Sequence, residues 1–148
     1  MIDFVRVLEQ YCVSKGIEHH YGRQANLNLL KSDLLLGKIY CLQEQVKRRP
    51  EMNLTGTRPQ AYVFSGLMFL LKKSTLDMPY YKEVGGDGSN SKYVLNIEPL
   101  LTEADLMLKA LTCLDLEILL FESDDVVNVL NTNNDGVLIN YQIRSRVN

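Results

Sequence analysis

The stretch NTNNDGVLINYQIR (131–144) decides the fold. Its second half alternates without a break: Val137, Ile139, Tyr141 and Ile143 share one side, and Leu138, Asn140, Gln142 and Arg144 the other. That period of two marks a strand with one buried face. Its first half is a run of turn formers, and Asp-Gly favours a type I′ turn, in which both central residues take positive φ. Asn134, Asp135 and Gly136 are therefore predicted to be a structural turn joining a strand over 126–132 to a strand over 137–147.

A half-buried strand needs apolar cover, and two stretches offer it. In residues 102–114, Ala104, Met107, Leu108, Leu111 and Leu114 fall at helical spacing behind Thr102 and Asp105, a capping arrangement with Asp where Glu or Gln is usual; Asn96 offers an earlier cap. In residues 2–15, Val5, Leu8 and Cys12 do the same, flanked by Phe4 and Tyr11, with Asp3 as N-cap and Gly16 as terminator. Between the helices, residues 34–46 and 61–73 read as two long strands pairing antiparallel, with Gly37 suited to a bulge and 67–71 apolar on both faces. Residues 48–59, with Pro50, Asn53, Gly56 and Pro59, read as the turn-rich connection. Residues 116–121 fit either a short strand or a continuation of the helix. The expectation is an α+β fold: an antiparallel sheet with two long strands and a C-terminal hairpin, covered by an N-terminal helix and a second amphipathic helix.

The chain has 148 residues, 46% hydrophobic and 23% charged, which fits a single domain over 1–148 that builds its core without metal or disulfides. A formal net charge of −2, with Lys47, Arg48 and Arg49 as the one basic cluster, argues against a nucleic-acid partner. Asp3, Arg6 and Glu9 interrupt the first apolar stretch, so no signal peptide is expected, and no window is apolar enough for a membrane helix. Cys12, Cys41 and Cys113 are far apart and form no C-x-x-C pair, so buried free thiols in a reducing compartment are expected.

Several residues invite chemistry. Asn131, Asn133, Asp135 and Gly136 match early positions of a calcium loop, but Gln142 stands where a bidentate Glu is needed. Glu18, His19 and His20 offer acid/base or metal groups, yet adjacent histidines on an extended segment point to opposite faces. Glu122, Asp124 and Asp125 read as a solvated acidic turn. The glycine-rich run within the flexible loop 77–92 lacks Walker spacing, and Asp87 and Glu83 would repel phosphate. Ser65 lies in an apolar strand rather than a nucleophile elbow. No catalytic, metal or cofactor site is therefore expected. Gly85, Gly86, Asp87, Gly88, Ser89 and Asn90 are expected to form a mobile loop that contacts protein partners.

This order of elements, together with residues Asn131 to Tyr141, resembles the tail-terminator and head-to-tail joining (neck) proteins of tailed bacteriophages. These are small α+β subunits that assemble into rings. The resemblance covers most of the chain in layout and transfers no functional residue position by position. It implies a structural role, with copies of the chain and neighbouring tail or connector proteins as partners, in a virion neck or tail made in the bacterial cytoplasm. The alternatives are a small adaptor binding through the edge of the 61–73 strand or the glycine-rich loop, and a small enzyme using His19 and His20.

Overall fold

A computed structural model describes residues 2–23, 36–74, 78–82, 85–127 and 134–147. Its elements run α1 (Phe4–Ser14), β1 (Glu18–Gly22), β2 (Ile39–Glu44), β3 (Lys47–Met52), β4 (Pro59–Lys73), a π-helical turn (Tyr93–Ile97), α2 (Glu98–Thr112), β5 (Leu116–Val126) and β6 (Asn134–Arg146). The strands form one six-stranded sheet in the order β1-β2-β4-β6-β5, with β3 pairing the first half of β4. β1 and β2 are parallel and the other pairs antiparallel, so the architecture is α+β as expected. Among the described residues no helix is long and apolar enough to cross a membrane.

Both helices belong to one apolar cluster with a single face of the sheet. Phe4, Leu8 and Cys12 of α1 and Leu100, Ala104, Met107 and Leu111 of α2 join Phe64, Met68 and Leu70 of β4 and Val137, Ile139, Tyr141 and Ile143 of β6. Each large side chain removed from water there contributes roughly 1.5–3 kcal/mol. α1 starts as its sequence predicts: Val5 N–H donates to Asp3 Oδ1 at 3.1 Å, and Gly16 ends it at φ +69°. On the reverse face Leu42 and Leu71 are buried and Leu67 and Phe69 half-buried, which explains why 67–71 is apolar on both sides.

Other expectations are corrected. Asn134, Asp135 and Gly136 are not a hairpin turn: they begin β6, paired with Lys73, Lys72 and Leu71 of β4. Asp135 is held by buried partners, and Gly136 lies against the Leu70 carbonyl, so both are committed to the strand. Residues 128–133, including Asn131 and Asn133, lie outside the described residues, and β5 ends at Val126. The open stretch 116–121 is strand, entered through Asp115 at φ +53°.

The 34–46 strand begins only at Ile39, with Gly37 in a preceding turn at φ +82°. Much of the connection 48–59 is the strand β3, and the turn is confined to the Asn53–Arg58 neighbourhood, where Asn53 Oδ1 accepts from Thr57 N–H and Arg58 N–H. Pro50 is tolerated because β3 is an edge strand. Thr102 lies inside α2 and donates to the Glu98 carbonyl rather than capping. Ser91 Oγ instead accepts from Val94 N–H at 3.2 Å where the helical segment starts.

Candidate functional site

The surfaces that stand out are the edge strands β3 and β5 and an aromatic corner beside β5. A buried polar seam fixes that corner. Lys92 Nζ lies 3.3 Å from Asp135 Oδ1, Asn96 Nδ2 donates to Asp135 Oδ2 at 3.1 Å, and all three side chains are buried. A buried carboxylate is tolerable only with such partners. The seam ties the start of the helical segment to the start of β6, and so fixes the chain just before it.

Tyr80 and Tyr81, each 46% exposed, pack edge-on against Tyr93, with ring centroids 6.3 Å and 5.3 Å away. Lys92 N–H and Tyr93 N–H donate to the carbonyls of Pro79 and Tyr80, holding the two chain segments together. The three rings line a pocket of 330 Å³. Tyr80 Oη donates to Asp125 Oδ2 of β5 at 2.9 Å; burial first, then this carboxylate, raise the phenol pKa.

Part of the glycine-rich loop is shaped by local bonds. Asp87 Oδ1 accepts from the backbone and hydroxyl of Ser89, which lowers its pKa, and Ser91 donates to the Gly88 carbonyl. Gly88 has φ +82°, and a Cβ there would meet Lys82 and Tyr81 side-chain atoms at 3.2 Å and 3.3 Å. Gly85, Gly86, Asp87, Ser89 and Asn90 are exposed.

The edges carry opposite charge. β5 is the outer strand beyond β6, and its residues Glu122, Ser123, Asp124 and Asp125 are all exposed. On the other side of β4 the outer strands are β1, beyond β2, and β3, along the first half of β4; in β3, Lys47, Arg48, Arg49 and Pro50 are all exposed. Arg48 lies 3.8 Å from Asp3, while Lys47 and Arg49 form no ion pair among the described residues. At the other end of β5, Glu117 is bridged by Arg144 and Arg146, whose cations lower its pKa. The adaptor reading fails in one detail: β4 is central, hydrogen-bonded to β2 and β3 on one side and β6 on the other, so it offers no edge.

His19 and His20 are on β1 and do not converge. His19 Nε2 is 3.0 Å from Gln43 Oε1, with its pKa lowered by burial; His20 Nε2 is 3.0 Å from Glu18 Oε1, whose pKa the neighbouring Lys38 lowers. Gln43 in turn donates to Tyr141 Oη at 3.3 Å across Gly66, where a Cβ would meet that oxygen at 2.9 Å. These contacts tie β1, β2 and β6 together through polar groups. Among the described residues no group of three His, Cys, Asp or Glu is placed to hold a metal ion. Cys12 and Cys41 are buried as expected; Cys113, just past α2, is exposed.

Sequence reasoning singled out the acidic and basic clusters but not their placement on opposite edges, which depends on strand order. It missed Tyr80, Tyr81 and Tyr93; the signal was three tyrosines bracketing an otherwise polar loop. Comparisons of the chain with protein-family models, curated proteins and solved structures found no match.

Proposed function

We propose that this chain is a structural subunit of a phage-like neck or tail ring, a tail terminator or head-to-tail connector, that works by self-assembly and protein–protein contacts. The carrying observation is the opposite charge of two edge strands on opposite sides of the sheet: Lys47, Arg48 and Arg49 on β3, Glu122, Asp124 and Asp125 on β5. Like edges repel and unlike edges attract, which favours head-to-tail contact over two-fold pairing. A head-to-tail contact between identical subunits generates a closed ring when its rotation closes.

Further support is the resemblance carried by the element order and the segment 131–141. The partners are copies of the chain and neighbouring tail or connector proteins, and the site of action is the virion neck or tail. An adaptor that offers its acidic β5 edge to a basic partner uses the same surface without self-association. Negative-stain images of the purified protein, and of a virion containing it, separate the two readings. Rings of uniform diameter, and density at the neck, support the proposal; monodisperse single subunits and a bare neck overturn it.

A further inference from the structure

The tyrosine corner lies at the acidic end of the β5 edge, and its chemistry deepens the ring reading, on which it rests. Tyr80 and Tyr81 stand edge-on to Tyr93, so the corner presents π faces in different orientations around one pocket. Ring faces carry negative potential and attract cations within about 6 Å of the centroid. Lys82 Nζ already lies 5.7 Å from the Tyr81 centroid, so one ring of the set holds a cation. The hydrogen bond from Tyr80 to Asp125 pushes electron density into that ring and places a carboxylate at the pocket's rim. Exposed Asp124 and Glu122 add negative charge to the same strand from the reverse face of the sheet. Such a pocket suits a planar, weakly hydrated cation that stacks on aromatic faces, which describes guanidinium better than ammonium.

We propose that this pocket receives a guanidinium of the Arg48–Arg49 pair from a second copy of the chain. Both arginines are exposed on the opposite edge; Arg49 has no ion-pair partner among the described residues, and Arg48 reaches Asp3 only at 3.8 Å. The pocket thus supplies the edge contact with orientation as well as charge, because a ring face accepts a guanidinium only when it stacks.

A synthetic peptide of sequence QVKRRPEM, residues 45–52 of this chain, tests the pocket apart from the ring. Titrated into the full-length protein, it should shift the NMR ring signals of Tyr80, Tyr81 and Tyr93. A peptide with Arg48→Gln and Arg49→Gln should bind roughly tenfold more weakly. Tyr81→Leu and Asp125→Asn should each weaken the native peptide, whereas Tyr81→Phe, which keeps the ring face, should retain most of its affinity. Unmoved ring signals, or equal affinity in Tyr81→Leu and Asp125→Asn, would overturn the pocket. Sedimentation of the same variants reports on the ring separately. Self-association undiminished by Tyr81→Leu and Asp125→Asn leaves the ring standing and removes the pocket from it. A wild-type chain that sediments as a monomer at every concentration sinks the ring reading, and the second copy as occupant with it.

Discussion

Two ion-pair groups in this molecule use the same chemistry in opposite settings. Lys92 and Asp135 are paired where their side chains are 5% and 0% exposed, while Glu117 and Glu51 bridge to Arg144 and Arg146 at the sheet surface. The buried pair has lost its hydration, so each charge depends on its protein partners; the surface group stays wetted and screened. Charge inside the fold fixes one arrangement of strand and helix, whereas the paired charges on its rim keep their contact with water.

The largest expected effect is at the buried seam. Asp135→Asn removes the carboxylate beside the buried Lys92 ammonium, and should lower stability by about 3–5 kcal/mol in urea unfolding. Replacing both, Lys92→Met with Asp135→Leu, should recover much of that loss. A silent Asp135→Asn would erase the difference between the two groups. Beside it, Gly136→Ala drives a Cβ into the Leu70 carbonyl oxygen and Leu71 Cδ2. The required shift of paired backbone should cost about 2–3 kcal/mol, and Gly136→Val more. An alanine accommodated without loss would mean that β4 and β6 do not meet in this register.

A smaller effect comes with alkali. Burial pushes the Tyr141 phenol up to about 12 from an ordinary 10.0. Its folded pKa is raised, so the stability it contributes is fully present below pH 10 and is lost as pH rises from 10 through 12, where the unfolded chain ionises first. The loss should approach 2–3 kcal/mol, on the order of 1.36 kcal/mol per pH unit, and Tyr141→Phe should flatten that part of the curve. An unchanged slope would place the alkaline transition elsewhere. Smallest of all, Glu117→Gln on the rim should leave the melting temperature within about 2 °C of wild type. A large drop there would show that the surface network supports the fold.

These differences also explain what could be read from the sequence. Val137, Ile139, Tyr141 and Ile143 announce β6 because alternation is local and the face they make is completely buried. α1 was legible down to Asp3 and Gly16, since caps act within a few residues. The Asp-Gly pair misled because its turn preference is also local, and a long-range partnership with Lys92 and Asn96 overrides it. β3 was hidden for a related reason: proline, arginine and lysine are poor strand signals, yet suit an edge strand that, among the described residues, pairs with β4 alone. Of the candidate surface, the charged residues were visible as clusters, but strand order alone puts them on opposite edges. The tyrosine corner required segments thirteen residues apart, Tyr80 and Tyr93, to be brought together by backbone hydrogen bonds that no periodicity reports.

Head-to-tail contact between the β3 and β5 edges is tested most directly by a charge swap. One variant carries Lys47→Glu and Arg49→Glu, making both edges acidic; the other carries Glu122→Lys and Asp124→Lys, making both basic. Sedimentation velocity should show the wild type as a defined oligomer that dissociates as salt rises, each variant alone as a monomer, and the equimolar mixture as an oligomer again. Variants that assemble as well as wild type, or a mixture that stays monomeric while the wild type is oligomeric, would contradict contact between the opposite edges.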